Sequence, residues 1–306
     1  MQKNTKQPDK TTKTPEIYVV LGPTATGKSD FAVDIAKKIN GEIISADSRQ
    51  VYRDMDLGSG KITKKEMMGV KHHLLNVASP RSIFSVEKFQ KLGIKAIEKI
   101  IKQGKTPIIC GGTGFYIDSL IYDSKFPNVK PDYVLRKTLS SWDKDKLFKE
   151  LKKLDGNRAK TIDRNNPPRL IRAIEIAKTL GKVPELSAHQ MRFPTKILGL
   201  DFDDQILKER IRIRIEKRLR VGMIKEIENL HKNGVSWKKL EGFGLEYRHI
   251  ALFLQNKVSK DEMIENLNQD IFKFVKRQRT WFKRNKKIKW IKNSTNPMKD
   301  INKSFW

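Results

Sequence analysis

The stretch "IYVVLGPTATGKS", residues 17–29, decides the fold class of this 306-residue chain. It joins a short apolar, β-branched run to a glycine-rich turn and then to the start of a helical pattern. Its motif G-x-x-x-x-G-K-S, at residues 22–29, has the spacing of a phosphate-binding P-loop and lies between strand and helix as that loop requires. The segment predicts a site for a nucleotide or for another pyrophosphate.

Three kinds of phosphate contact are expected from this loop. Its backbone N–H groups and the positive end of the following helix face the phosphates, Lys28 supplies a mobile cation, and the Ser29 hydroxyl can bind Mg²⁺. We therefore expect Mg²⁺ as a cofactor. The residues assigned to the diphosphate or nucleotide are Gly22, Pro23, Thr24, Ala25, Thr26, Gly27, Lys28 and Ser29.

Apolar runs alternate with helical patterns on both sides of the loop. Strands are predicted at residues 17–21, 42–46, 106–110, 197–200 and 288–291. Strands that alternate with helices form a parallel sheet with helices on both faces. The expected fold class is α/β, a P-loop-containing doubly wound parallel sheet.

The character of the sequence changes at about Asp123. Prolines are followed by charged, helix-forming sequence up to about Pro194, and no strand pattern is convincing there. This change predicts a helical insertion domain. The expected organisation is a disordered tail at 1–15, a P-loop catalytic core at 16–122 and 196–306, and the insertion domain at 123–195.

The charge balance points to a polyanionic partner. The chain has 64 Lys and Arg against 35 Asp and Glu, a net charge of +29, and nucleic acid is the first candidate for such an excess. Alternatively, part of the excess positive charge reflects a lysine-rich composition spread over solvated faces. The single cysteine and the lack of a long apolar segment predict a cytoplasmic protein without a membrane partner.

The machinery of a nucleotide hydrolase is incomplete. Such an enzyme places a metal-holding Asp at the end of a later apolar strand, yet the strand at 106–110 runs into the glycine-rich segment 111–114. A guanine-reading Asn-Lys-x-Asp motif is also absent. The sheet offers instead Asp47, at the edge where open α/β sheets bind ligands. Asp47 is there either a base for a substrate other than water or a turn-capping residue.

Seven segments carry a family pattern. They are GPTATGKS (22–29), ADSRQVYRDMDLGSGK (46–61), HHLL (72–75), FSVEKFQ (84–90), GGTGFYIDSL (111–120), PRLIRAIEI (168–176) and KRQRTWFKR (276–284). In this order they resemble the tRNA dimethylallyltransferases over residues 17–291. The resemblance implies a P-loop fold with a helical insertion. It also implies transfer of a five-carbon isoprenoid from dimethylallyl diphosphate to the exocyclic amine of the adenine on the 3′ side of the anticodon, although family members are often labelled ATP-binding.

The resemblance also implies roles for individual residues. Asp47 matches the general base, and Thr113 matches the residue that assists at the reacting amine. Contacts with tRNA in the insertion domain and near the base are carried over to Asp47, Ser48, Arg49, Gln50, Arg136, Pro168, Arg169, Leu170, Ile171 and Arg172. The implied partners are the anticodon stem-loop of tRNA and dimethylallyl diphosphate, with the chain acting as a monomer.

The sequence departs from the family pattern in three places. Gly-Ser-Gly-Lys at 58–61 replaces Gly-Thr-Ala-Lys, which keeps a hydroxyl and the lysine. Arg-Asn-Asn-Pro at 164–167 and Phe-Gly-Leu-Glu at 243–246 also differ from the usual residues.

Three alternative functions remain open. They are a P-loop kinase, an isopentenyltransferase that uses free adenine nucleotides, and a non-catalytic RNA-binding protein.

Two basic helical patterns, at 205–232 and 261–284, are the expected RNA surface. Each has an apolar stripe, and cations stand beside it. In the first pattern the outward cations are predicted to be Arg210, Arg214, Lys217 and Arg218. In the second, Arg277 and Arg284 are assigned to tRNA, and Trp281 is expected in the core rather than stacked on a base.

The pair His72-His73 has no cysteine or acidic partner at ligand spacing. We expect it in a turn or in the donor pocket rather than at a zinc site.

Overall fold

The computed structural model describes residues 15–185 and 190–301. The tail predicted at 1–15 therefore lies outside the described residues, apart from Pro15. The chain divides into two compact units. One consists of the residues up to Asp123 and from Met191 onward, and the other is Ser124–Gln190. The sequence boundaries expected for the insertion were 123 and 195.

The larger unit is built on a parallel sheet, and the predicted fold class is confirmed. Its strands, within the described residues, are β1 (Ile17–Leu21), β2 (Gly41–Ser45), β3 (His72–His73), β4 (Thr106–Gly111), β5 (Thr195–Asp201) and β6 (Lys289–Lys292). Their order across the sheet is β3-β2-β4-β1-β5-β6. The short strand β3 was not predicted, because two residues are too few to give a period-two pattern.

Fourteen helices are found within the described residues. In chain order they are α1 (Lys28–Lys38), α2 (Lys64–Met67), α3 (Val86–Lys102), α4 (Gly114–Ile121), α5 (Tyr133–Leu139), α6 (Lys144–Leu154), α7 (Gly156–Thr161), α8 (Pro167–Leu180), α9 (Asp204–Arg220), α10 (Met223–Lys232), α11 (Trp237–Phe243), α12 (Leu245–Leu254), α13 (Lys260–Phe282) and α14 (Pro297–Asp300). Helices α5–α8 form the insertion unit. None of the described helices is long and apolar enough to span a membrane.

The four inner strands β1, β2, β4 and β5 are largely buried on both faces, as a doubly wound sheet requires. On one face Val19 packs in a core with Phe89 of α3. On the other face Val20 packs in a second core with Phe31 of α1. Every residue of β1 is buried, which explains why this strand reads as a continuous apolar run.

The order of the strands gathers three chain segments at one edge of the sheet. Strand β4 lies between β1 and β2, and Gly111 pairs with Leu21 while Cys110 pairs with Ser45. The carboxyl ends of the three strands are therefore level. The P-loop, the glycine-rich turn at 111–114 and the Asp47 turn leave the sheet side by side.

The helical pattern predicted at 205–232 is two helices rather than one. Gly222, between α9 and α10, has φ 106°, a left-handed conformation that glycine adopts without strain. The pattern at 261–284 corresponds to α13, which begins with a capping box between Ser259 and Glu262. Helices α11 and α12 had not been assigned from the sequence.

The insertion unit has its own apolar core. Leu147 and Leu151 of α6 pack with Leu170 and Ile174 of α8, and all four side chains are fully buried. This core explains the helical spacing of leucine and isoleucine in the segment.

Candidate active site

The P-loop has the backbone geometry of a phosphate-binding turn. Gly27, immediately before α1, has φ 79°, which favours glycine. Gly22 lies against the carbonyl oxygen of Leu200, where a side chain would not fit. The Thr26 hydroxyl donates to the Pro23 carbonyl at 2.9 Å and closes the turn. The N-terminal N–H groups of α1 are consequently directed to the loop.

Lys28 is held close to this turn. Its ammonium donates to the carbonyl of Pro23 at 3.2 Å. Burial lowers the pKa of Lys28, and the charge of Arg214 lowers it further, while Cys110 and Asp47 act in the opposite direction. Such a half-buried, partly desolvated cation gains from an anionic ligand.

A cavity of about 360 Å³ opens over the P-loop, and we call it the loop cavity. Arg210, Arg214 and Arg218 of α9, four residues apart, line it together with Lys28. The outward orientation predicted for these arginines is wrong, because that side of α9 faces the P-loop. The cavity therefore brings four cations to the predicted phosphate site.

Arg214 is the most unusual of the four. Burial, and the nearby charge of Arg218, lower its pKa to about 10 although Glu246 and Asp47 oppose this shift. Its Nε is shielded from solvent and has no hydrogen-bond partner among the described residues. An unpartnered, enclosed guanidinium group is suited to a ligand that carries several negative oxygens.

A second cavity, of about 430 Å³, is lined with aromatic side chains, and we call it the aromatic cavity. Its aromatic residues are Phe115, Phe243, Tyr247, Phe274 and Trp281. Thr24, Asp47, Ser59 and Arg214 line both cavities. The two cavities thus meet at Asp47.

The two oxygens of the Asp47 carboxylate have different hydrogen-bond partners. Oδ1 accepts hydrogen bonds from the backbone N–H groups of Arg49, at 2.8 Å, and Gln50, at 3.3 Å. No described residue donates to Oδ2. The turn-capping role and the base role are compatible, because one oxygen fixes the side chain and the other is available to a substrate.

Thr113 joins the glycine-rich turn to the Asp47 turn. Its hydroxyl accepts from the backbone N–H of Ser48 at 3.1 Å, and its Oγ1 lies 3.5 Å from the Ser48 hydroxyl. Thr113, Ser48 and Arg49 line the aromatic cavity. Gln50 lines the loop cavity, and its amide is bonded to the Ser45 hydroxyl and the Gly60 carbonyl.

Comparisons with known proteins agree with this geometry. The model of the IPP transferase family matches residues 50–285. The chain is 43% identical over 282 residues to tRNA dimethylallyltransferase 2 of Treponema denticola, which covers 89% of this chain and 94% of that protein. It is 40% identical over 286 residues to the tRNA dimethylallyltransferase of Acetivibrio thermocellus, covering 90% and 91%.

The chain belongs to the IPP transferase family. The resemblance inferred from the sequence is thereby confirmed. Among solved structures, the full-length tRNA isopentenylpyrophosphate transferase of Bacillus halodurans matches with a TM-score of 0.69 and 32% identity, covering 95% of this chain and 92% of that one. A eukaryotic dimethylallyltransferase acting on tRNA matches with a TM-score of 0.77 at 24% identity, which supports the fold.

In this IPP transferase, α13 supplies residues to the aromatic cavity. Arg277 is exposed and lies with its Cζ 5.6 Å from the centre of the Phe274 ring. The guanidinium of Arg284 lies 3.8 Å above the ring of Trp281. The Trp281 Nε1 donates to Asp118 at 3.0 Å. Trp281 packs against the core, as expected, and also lines the cavity.

The insertion unit places two of the assigned arginines on one buried carboxylate. Arg136 donates to both oxygens of Glu175, through Nε at 2.9 Å and Nη2 at 2.8 Å, and Arg172 also bonds to Glu175. Leu170 is fully buried, so only its backbone could reach RNA. The side chains of Pro168 and Arg169 are exposed and that of Ile171 is half-buried.

The histidine pair is structural and cavity-lining in this IPP transferase. His73 bonds through Nε2 to the buried Glu42 at 2.6 Å, and His72 lines the loop cavity. Burial lowers the pKa of His72. No cluster of three or more metal-binding residues occurs in the part of the chain that the structure describes.

Proposed function

We propose that this IPP transferase transfers a dimethylallyl group from dimethylallyl diphosphate to the exocyclic amine of the adenosine that follows the anticodon of tRNA on its 3′ side. Diphosphate is released. The observation that carries the proposal is that the cationic loop cavity and the aromatic cavity meet at Asp47. The relatives named tRNA dimethylallyltransferase support the same reaction.

The loop cavity suits the leaving group. When the bond between the allylic carbon and the diphosphate oxygen breaks, negative charge grows on the diphosphate. Lys28, Arg214 and the N–H groups of the P-loop are already in place to stabilise that charge. A bound diphosphate would raise the pKa of Lys28 and of Arg214 again, so binding and charge stabilisation favour each other.

The same cavity fits Mg²⁺. The Ser29 hydroxyl lines it without a hydrogen bond to any described residue. Burial raises the pKa of Asp30, and the charges of Glu66 and Asp34 raise it further, so a cation there relieves an unfavourable environment. Mg²⁺ commonly combines one or two protein oxygens with substrate phosphates. Ser29 and Asp30 would hold the ion, which would supply positive charge beside the diphosphate.

The aromatic cavity suits the acceptor base. The exocyclic amine of adenine is a weak nucleophile because its lone pair is delocalised into the ring. As its nitrogen bonds to the allylic carbon, the nitrogen becomes acidic, and Asp47 Oδ2 takes the proton. The Thr113 hydroxyl is the neighbouring group that can bind the amine. General-base help of this kind contributes roughly 100- to 10,000-fold in rate.

The acceptor must come from unpaired RNA. An adenine has to leave its stack to enter the cavity, which is easier in an anticodon loop than in a duplex. The net charge of +29 attracts the RNA. The exposed side chains of Arg277 and Arg284 are proposed to contact its phosphates. Further contacts are proposed for Arg136, Arg172 and the exposed Arg169. We place the reaction in the cytoplasm, with the chain acting as a monomer.

A P-loop kinase would use the same loop, with Asp47 as the base for a hydroxyl group. This interpretation lacks support because β4 ends at Gly111 and is followed by Gly112, where a carboxylate for the metal would be expected. A transferase that acts on free adenine nucleotides has no use for the exposed cations of α13. The comparisons favour the tRNA-directed reaction over both.

The test is to incubate the protein with dimethylallyl diphosphate, Mg²⁺ and unmodified tRNA and to analyse the nucleosides. We expect one prenylated adenosine, mapped next to the anticodon. Parallel reactions contain free AMP as the acceptor, or ATP in place of the prenyl donor. Transfer to AMP but not to tRNA, or transfer of phosphate from ATP, would overturn the proposal.

A further inference from the structure

A single carboxylate binds a loop whose next residues line both cavities. Glu226, in the first turn of α10, accepts through Oε2 from the backbone N–H groups of Asp56, at 2.9 Å, and Leu57, at 2.6 Å. Its Oε1 accepts from the N–H of Gly58 at 3.0 Å and from the Tyr247 hydroxyl at 3.1 Å. Four donors around one carboxylate fix both oxygens and hold three successive residues of the loop.

The bound segment leads directly into residues that line the two cavities. Ser59 lines both the loop cavity and the aromatic cavity, and Gly60 lines the loop cavity. The Gly60 carbonyl accepts from the side chain of Gln50 at 3.1 Å, and the backbone N–H of Gln50 donates to Asp47 Oδ1. A continuous set of hydrogen bonds and short loop segments thus connects Glu226 with Asp47.

The loop is packed too closely to shift without consequence. A Cβ added to Gly58 would lie 2.6 Å from the ring of Tyr247, which is itself fully buried. Gly60, at φ 62°, lies against the guanidinium of Arg218 in the loop cavity. Displacement of the loop therefore moves groups on both sides of Asp47.

We propose that Glu226 is a positioning residue for the transfer reaction. It holds residues 56–60 beside the donor and acceptor cavities, and it thereby keeps Asp47 and Arg218 in register for the reaction. Glu226 does not line either cavity, so it acts through the loop. The inference rests on the proposed function.

The first test is the single-turnover rate of Glu226→Gln, with the enzyme and dimethylallyl diphosphate both in saturating excess over tRNA. Gln keeps the size of the side chain but loses an acceptor, so two donors lose their partner. We expect the rate constant to fall by about 10- to 100-fold, since small misplacements of reacting groups cost that much. The dissociation constants for the donor and for tRNA should change little. Tyr247→Phe, which removes one of the four donors, should show a smaller fall.

The matched control is Glu228→Gln. Glu228 lies on the same helix but pairs on the surface with Lys225 and Lys232. While the folded enzyme remains in saturating excess over tRNA, a partial loss of folded protein leaves the single-turnover rate constant unchanged. An unchanged rate constant in Glu226→Gln, or an equal fall in Glu228→Gln, overturns the inference.

The second test needs no substrate. Hydrogen exchange at the backbone N–H groups of Asp56, Leu57 and Gly58 should be slow in the parent protein and much faster in Glu226→Gln, but not in Glu228→Gln. Fast exchange in the parent protein overturns the inference. If the parent protein makes no prenylated tRNA, the proposed function fails, while the exchange experiment still decides whether Glu226 holds the loop.

Discussion

The side chain of Gln278 binds the backbone N–H of Thr24 in the P-loop, with Oε1 accepting at 3.0 Å. The Nε2 of the same amide donates to the Gly112 carbonyl at 2.9 Å. A buried residue of α13 thus joins the P-loop to the glycine-rich turn at 111–114. Helix α13 therefore supports the candidate active site and also carries cations of the proposed RNA surface.

Gln278→Leu is expected to destabilise the protein by about 1–3 kcal/mol, because the Thr24 N–H and the Gly112 carbonyl lose a buried partner. Urea unfolding measures this change. Gln269→Leu, at an exposed position of the same helix, is the control and should be close to neutral. Equal stability of the Gln278→Leu and parent proteins would show that water replaces the amide.

The sequence could not have indicated this role for Gln278. Gln278 lies in the apolar stripe of α13. From the sequence alone, a polar residue at such a position indicates only a break in the apolar pattern. The fold class, in contrast, followed from apolar runs and P-loop spacing, because a strand buried on both faces and a glycine-rich turn both leave local signals.

The orientation of Arg214 was beyond sequence reasoning for a related reason. The arginines at four-residue spacing were visible, but an apolar stripe beside them indicated a solvated face. In the structure α9 is buried on one side by α13 and faces the P-loop on another. Periodicity reports that a face is polar, and it does not report whether water or a ligand lies there.

Lys28→Ala is expected to weaken use of dimethylallyl diphosphate while tRNA binding is nearly retained, since Lys28 lines the loop cavity and not the aromatic cavity. The donor KM and the dissociation constant for tRNA are the two measurements. Lys37→Ala, at an exposed site on the same helix, is the control. Equal losses for donor and tRNA would contradict the assignment.

The ion pairs of Glu175 with Arg136 and Arg172 should make the stability of the protein depend on pH. Burial raises the pKa of Glu175, but hydrogen bonds from Arg136 and Arg172 lower it by more, so the pKa lies below its ordinary value of 4.5. A carboxylate whose pKa is lowered by folding stabilises the protein above the unfolded pKa. This stabilisation is lost as the pH falls through the folded pKa. Glu175→Gln should therefore destabilise the protein by roughly 2–4 kcal/mol at pH 7.

The difference in the free energy of unfolding between the parent protein and Glu175→Gln should shrink as the pH falls below 4.5. Urea unfolding from pH 7 to pH 3 measures it. Glu185→Gln, at an exposed carboxylate of the same unit, should show no such convergence. A difference that stays constant with pH would mean that the carboxylate charge contributes nothing.

Replacing Arg277 and Arg284 together with Ala should weaken tRNA binding and reduce its salt dependence, because fewer counterions are released. Each lost phosphate contact reduces the slope of log K against log salt by about 0.7 to 0.9. The control removes Lys99 and Lys102, exposed at the end of α3, toward the amino edge of the sheet. An unchanged slope in the arginine variant would place the RNA on another surface.

The sharpest prediction concerns Asp47, because its two oxygens have separate partners. Asp47→Asn retains an oxygen that accepts from the Arg49 and Gln50 N–H groups, so the turn should persist. The amide that replaces Oδ2 cannot take a proton from the adenine amine. Single-turnover transfer should fall by a factor on the order of 100 or more, and saturating either substrate should not restore it, because the lost interaction belongs to the transition state.

The control for this change is Asp54→Asn, at an exposed turn where Asn accepts the left-handed backbone conformation. It should leave both the rate constant and the affinities unchanged. Full single-turnover activity in Asp47→Asn would remove the general-base role. A loss confined to tRNA affinity would instead assign Asp47 to holding the RNA, because a base that acts only in the transition state changes the rate at saturation and not the binding that precedes it.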